Sequence, residues 1–293
     1  MRISWRVYAA ITVWASPEVF AKKKLFCYVV LDPIKRAVIE GKNTESRIFP
    51  ASLAKLMTLF ITFDALSKKK IKFNTWFSVS HHASQCLPSK LWVKPGQKLT
   101  VEQCIQAVCV SSCNDVATMI AENLAGNVPN FVKMMNYYAR TLGMRNTVFK
   151  NPSGWHDPDQ VTSSKDIALL MRAIWLRFSR YGHFLGGKTF CYKGRVYQNT
   201  NRLLGKVEGL RMGKTGYTSH AGYNLSTFTM RHHRPVIVVL TGAPTRTARD
   251  NKVRALIEKF YHRKGSGKIS KNPILYRGGP KQKVYVKKNS HIS

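Results

Sequence analysis

The apolar positions of this chain follow two rhythms, strand-like near its ends and helix-like through its middle. Residues 25–31 are almost continuously apolar, Asp32-Pro33 reads as a turn, and residues 37–40 read as a hairpin partner ending at Gly41. After Pro50, a residue tolerated where a helix begins, Leu53, Leu56, Met57, Phe60 and Ile61 recur at helical spacing and predict a largely buried helix. Trp76 to Ser80 suggests a short strand, and Lys94-Pro95-Gly96-Gln97 a turn. Thr100 and Gln103 have the spacing of a capping box opening a helix through Val110. Asp115 is suited to cap a next helix over 116–124, stopped by Gly126, so that Ser112 and Asn114 fall on the connector. Phe131, Met134, Met135, Tyr138 and Leu142 mark a helix ending at Gly143, and Ile167, Leu170, Met171, Ile174 and Phe178 mark another after Ser163.

From residue 196 the rhythm turns to strands over 196–204, 209–217, 222–230 and 235–240, the last apolar enough to be central, before a final helix over 247–262. Strands at both ends with helices between them predict an α+β fold: an antiparallel sheet built from N- and C-terminal segments, flanked by helices, with a mostly helical central part.

The remaining segments read as addresses rather than as fold. Arg2 and Arg6 flank the start of an apolar run over 7–15 that is too short to span a membrane, Pro17 breaks it, and Ala21 ends a stretch suited to cleavage. The expectation is an exported, periplasmic or otherwise extracytoplasmic protein with residues 1–21 as signal peptide, 22–262 as the catalytic domain and 263–293 as a mobile basic tail. That tail has nine Lys or Arg and no acid, in a chain of 293 residues whose 48 Lys and Arg face 14 Asp and Glu, a net charge of +34. Such a balance favours polyanionic surfaces and says nothing of fold. The six cysteines lack zinc-ligand spacing and lie mostly in apolar patterns, so buried thiols are expected; Cys109 and Cys113 are spaced for a shared helix face.

Three short motifs carry chemistry. Ser52 and Lys55 lie three apart at a helix start, so that they share a face. A serine hydroxyl is a weak nucleophile until a base takes its proton, and a lysine serves as that base when burial or nearby cations lower its pKa. Ser112-Cys113-Asn114 supplies a hydroxyl and an amide, and Lys214-Thr215-Gly216 a cation, a hydroxyl and a strand position open to close approach. Each alone is loose: Ser67-Lys68-Lys69-Lys70 repeats the first as a solvated helix end, and Ser270-Lys271-Asn272 repeats the second out of order. In this order and context the set is the one found in penicillin-binding proteins and class A β-lactamases.

Over residues 25–262 the chain resembles low-mass penicillin-binding proteins of the serine D-alanyl-D-alanine carboxypeptidase family, peptidase family S11. Pro50-Ala51-Ser52-Leu53-Ala54-Lys55, Leu91-Trp92-Val93-Lys94-Pro95-Gly96, Asn151-Pro152-Ser153-Gly154, Gly213-Lys214-Thr215-Gly216-Tyr217-Thr218 and Gly242-Ala243-Pro244-Thr245 are similar to family blocks. The resemblance implies that Ser52 attacks the bond between two terminal D-alanines of a peptidoglycan stem peptide. Lys55 would be its base, Ser112 would relay a proton to the leaving amine and Asn114 would hold the substrate amide. The backbone N–H groups of Ser52 and Tyr217 would form an oxyanion hole beside Gly216, and Lys214 and Thr215, with Arg249, would hold the terminal carboxylate. It implies β-lactam inhibition and no metal or cofactor; no nucleic acid partner is expected, and the nine cations of the tail suit it to contact anionic membrane or wall polymer. Cys113, Ser153 and Trp155 depart from the family pattern, and Cys113 is expected to bring bulk near the cleft.

Three competing readings differ in what they require. A β-lactamase needs a deacylating carboxylate between the second and third motifs, where there is no glutamate between Glu122 and Glu208 and Asp157, Asp159 and Asp166 lack that loop's pattern. An endopeptidase cutting cross-links would use the same residues. A polyanion-binding protein with little activity would make the charge the function.

Overall fold

In a computed structural model, residues 25–262 are described. The signal peptide expected at 1–21 and the tail expected at 263–293 lie outside the described residues.

Five antiparallel strands form the main sheet: β1 (Cys27–Asp32), β2 (Ala37–Lys42), β7 (Leu210–Thr218), β8 (Gly222–Arg231) and β9 (Arg234–Ala243), in the order β2-β1-β9-β8-β7. β9 is central because both its faces are apolar. Val236, Val238 and Leu240 pack with Val253, Leu256 and Ile257 of helix α8 (Arg246–His262), while Ile237 and Val239 join the larger core on the other side. Alternate side chains of a strand point to opposite faces, so covering both faces demands an unbroken apolar run. The expected fold class is the one observed.

Between β2 and β7 the chain is mainly helical: α1 (Lys55–Ser67), α2 (His81–Ser84), α3 (Val101–Val110), α4 (Asn114–Ala125), α5 (Val128–Leu142), α6 (Ser164–Phe178) and α7 (Gly182–Leu185). Two small hairpins accompany them, β3 (Trp76–Ser78) with β4 (Lys98–Thr100) and β5 (Thr189–Tyr192) with β6 (Arg195–Gln198). α1 runs through the core, with Leu56, Met57, Leu59, Phe60 and Phe63 wholly buried, and the Phe60 ring meets Tyr138 at 5.3 Å and Phe178 at 5.0 Å. A helix apolar on nearly all sides is a buried one. The Thr100–Gln103 capping box is present, and Gly126 and Gly143 end their helices at positive φ.

Four sequence expectations need correction. The strand expected over 196–204 is β6 alone, followed by turns, with β5 as a partner that the pattern did not reveal. α4 starts at Asn114, so Asn114 belongs to the helix and Ser112 alone of the two to the connector. Asp115 accepts from the Val116 N–H one residue on, but it does not cap the helix from outside: its buried carboxylate also takes the backbone N–H groups of Leu91 and Trp92. Cys109 lies in the last turn of α3 while Cys113 precedes α4, so they share no helix, and Cys191 is exposed; all six cysteines are free.

The site is positioned by two close backbone approaches to the 3₁₀ turn Ala51–Ala54, which leads into α1. A Cβ on Gly216 of β7 would sit 3.1 Å from the Ser52 nitrogen and 3.1 Å from the Pro50 oxygen. A Cβ on Gly154 would collide with the Ala51 carbonyl, and Gly154 has φ +78°. Ala51 itself lies at φ +47°, a conformation costly for a residue with a side chain and stable only when its surroundings hold it. Gly154→Ala combines a left-handed backbone with a backbone clash, and should lower unfolding free energy by at least about 2 kcal/mol; an unchanged urea midpoint would contradict this packing.

Candidate active site

A cleft of about 300 Å³ opens where the 3₁₀ turn, the α3–α4 connector, the end of β7, the 151–155 loop and the start of α8 meet. Ser52, Ser112, Asn114, Thr215, Gly216, Tyr217 and Arg249 line it. Lys55 and Lys214 lie directly behind two of those hydroxyls, so the structure brings together all nine residues that the sequence singled out.

Lys55 is the first residue of α1, one turn beyond Ser52. Its Nζ lies 3.0 Å from Ser52 Oγ, 2.6 Å from Asn114 Oδ1 and 2.5 Å from the Ser153 carbonyl oxygen. A neutral amine donates to Asn114 and Ser153 and accepts the Ser52 hydroxyl proton, the arrangement that a base requires. Lys55 is wholly buried, and that burial, with the charge of Lys214 second, holds its pKa well below that of an ordinary amine.

The second hydroxyl repeats the pairing. Ser112, held at φ +60° on its connector, accepts from Lys214 Nζ at 2.8 Å, and Lys214 also donates to the Thr215 carbonyl. Burial lowers the Lys214 pKa to about 8. Two hydroxyls thus have a buried amine each, and no carboxylate is among the residues lining the cleft.

Asn114 is more engaged than its motif suggests, donating its amide to the Leu87 carbonyl while accepting from Lys55. Arg249 is buried: Nε donates to Asp250 Oδ1 at 2.8 Å, and Nη2 lies 2.7 Å from that oxygen without hydrogen-bond geometry. Tyr217 is half exposed against Tyr223, with ring centroids 4.2 Å apart. Cys113 is not in the cleft, a correction to the expected bulk there: it is buried within electrostatic reach of Lys55 and Lys214, and burial pushes its thiol up to about 12.

Several supporting residues escape sequence reasoning. Thr200 lines the cleft with its Oγ1 2.6 Å from Thr215 Oγ1. The loop that presents the Ser153 carbonyl is fixed by Asn151 Oδ1, which accepts from the Gly154 N–H, and by Gln160, which binds the Lys150 and Asn151 N–H groups and the Trp155 carbonyl. His156 and His220 stack 3.7 Å apart beside Phe49, joining the Trp155 loop to the β7–β8 turn. The Asn-Pro-Ser-Gly block was the one signal for any of these.

Comparison with known proteins fits this geometry. A family profile described as D-alanyl-D-alanine carboxypeptidase, peptidase S11, matches residues 14–245. The chain is 31% identical over 256 residues to D-alanyl-D-alanine carboxypeptidase DacF of Bacillus subtilis, covering 86% of this chain and 64% of DacF. It is 33% identical over 239 residues to DacA of Haemophilus influenzae, covering 79% and 60%. It therefore spans less than two thirds of the length of these curated relatives. Penicillin binding protein 5 from Haemophilus influenzae superimposes with a TM-score of 0.78 at 31% identity, over 80% of this chain and 70% of that one. With the profile spanning most of the chain and a penicillin-binding protein as structural neighbour, the chain belongs to the D-alanyl-D-alanine carboxypeptidase family, peptidase S11.

Proposed function

We propose that this protein is a serine D-alanyl-D-alanine carboxypeptidase, releasing the terminal D-alanine of peptidoglycan stem peptides through an acyl-enzyme on Ser52. The observation that carries the reading is the buried Lys55 amine 3.0 Å from Ser52 Oγ. Lys55 takes the Ser52 proton as Oγ attacks the D-alanyl carbonyl. The Ser52 and Tyr217 backbone N–H groups stabilise the oxyanion, each such donor being typically worth about 2.7–4 kcal/mol. Gly216 allows this placement, since a Cβ there would press on the Ser52 nitrogen at 3.1 Å. Ser112, backed by Lys214, passes a proton to the departing amine, and water then attacks the acyl ester. Thr215, Lys214 and Arg249 hold the terminal carboxylate. β-Lactams, which acylate the same serine, are the expected inhibitors, and a cleft lined without a carboxylate favours a long-lived penicilloyl ester.

We also propose export, with the basic tail holding the enzyme on anionic membrane or wall polymer; both rest on the sequence of segments outside the described residues.

A fluorescent penicillin should label the protein stably, Ser52→Ala should lose the label, and a stem pentapeptide should yield D-alanine. A stable label with no D-alanine release would turn the reading to cleavage of cross-links, and no label at all would sink it. The rate of penicillin acylation should rise from acid pH as Lys55 loses its proton, and fall again as pH passes about 8 and Lys214 loses the charge that holds the penicillin carboxylate. A rate still climbing at pH 10 would remove Lys214 from that role. Deleting residues 263–293 should release the protein from anionic vesicles while leaving turnover of a soluble peptide unchanged; vesicle binding that survives the deletion would refute the anchoring role.

A further inference from the structure

The first turn of α8 carries two arginines, Arg246 and Arg249, and no acid. A helix N-terminus is the positive end of the helix dipole, so cations there are unfavourable for the fold and anions are favoured. At three residues apart the two guanidiniums share a helix face, and both line the cleft. Arg249 is 2% exposed, and its Nη2, though 2.7 Å from Asp250 Oδ1, has no hydrogen-bond geometry to it, so a buried donor beside the cleft lacks an aligned acceptor. A bound anion would supply the aligned acceptor that Asp250 does not.

Arg246 is different, being exposed, with a side chain that makes no ion pair or hydrogen bond among the described residues. Arg202, also exposed, lies within electrostatic reach of Arg249. The nearby carboxylate, Asp250, is already held by Arg249. This flank of the cleft therefore carries cations beyond what one terminal carboxylate needs.

Strand register orients the pair. Thr215 pairs with Leu225, Tyr217 with Tyr223, and Tyr223 with Ala243, three residues before Arg246. Arg249 Nη1 reaches the carbonyl of Asn224, the partner of Gly216. Arg249 thus stands by Gly216, next to Thr215, and Arg246, which follows the Ala243–Tyr223–Tyr217 row by three residues, stands toward Tyr217, about 4.5 Å farther along the helix. With the terminal carboxylate at Thr215 and Arg249, the direction toward Tyr217 is that of the acyl donor, in which two extended residues span about 7 Å.

We propose that Arg246 binds a second carboxylate of the substrate, on the side chain of the residue two before its C-terminus, so that the cleft selects stem peptides acidic at that position over those in which the acid is amidated. This rests on the carboxypeptidase reading for the direction in which the peptide lies.

The test uses Ser52→Ala protein, which binds without turnover, titrated calorimetrically with two acetylated tripeptides ending in D-alanyl-D-alanine that begin with glutamate or glutamine. The acidic peptide should bind about fivefold to tenfold more tightly, an advantage that added salt erodes. Arg246→Gln should abolish the difference and Arg246→Lys should retain part of it. Equal affinities with Arg246 present, or a preference that survives Arg246→Gln, would overturn the assignment. D-Alanine release by the Ser52 enzyme from either tripeptide is scored separately: its absence would count against the carboxypeptidase reading, while the affinity ratio still judges Arg246.

Discussion

The burial of two amines within one small site is the constraint around which the rest of the structure is arranged. Lys55 and Lys214 are both cut off from water, and the charge of Lys214 adds to the burial that disfavours a proton on Lys55, so each is stable only because fixed acceptors surround it. For Lys55 those acceptors come from three separated places: the 3₁₀ turn, the first residue of α4 and the 151–155 loop. The segments that look like mere connectors are therefore the ones whose geometry is most tightly specified. Left-handed Ala51 and Ser112 and the tight contact at Gly154 are local costs borne at the site and met by the apolar core below it.

That core supplies the rigidity. α1 is enclosed on nearly all sides, so the register of Lys55 relative to the sheet cannot drift without opening the packing of Phe60 and Phe63. On the far side, α8 holds β8 and β9 from beneath while presenting its first turn to the cleft. Site and support thus share elements, and the buried Lys55 amine belongs to the same helix that fills the core.

What the sequence made legible follows from distance along the chain. Ser52 and Lys55 could be paired by helical geometry alone, the Thr100 cap by its spacing, and β9 by its unbroken apolar run. Lys214 beside Ser112 could be placed only through the order of motifs, because no local rule joins residues so far apart. Asp115 departs from its expected role for the same reason: its place before an apolar helix suggests a cap, whereas its partners at Leu91 and Trp92 lie far off in the chain. Thr200, Gln160 and the His156–His220 stack were invisible, since threonine, glutamine and histidine in turns carry no pattern of their own. Of the strand expected over 196–204 only β6 forms a ladder, with β5, because Leu203 and Leu204 turn instead into the core that packs against α8.

The span of chain between the interacting groups has a consequence for how the protein comes into being. Ser52 is made early in synthesis, but the amine that backs Ser112 comes 102 residues after that serine, on the same strand that closes against the Ser52 turn, and the helix bearing Arg249 comes later still. Contacts of such long reach form late and cooperatively, after the loop-closure cost has been met. A nascent or truncated chain therefore carries Ser52 as an ordinary hydroxyl. On the proposed function, reactivity appears in one step with the closed sheet, and labelling by a penicillin would report on completed folding as well as on chemistry.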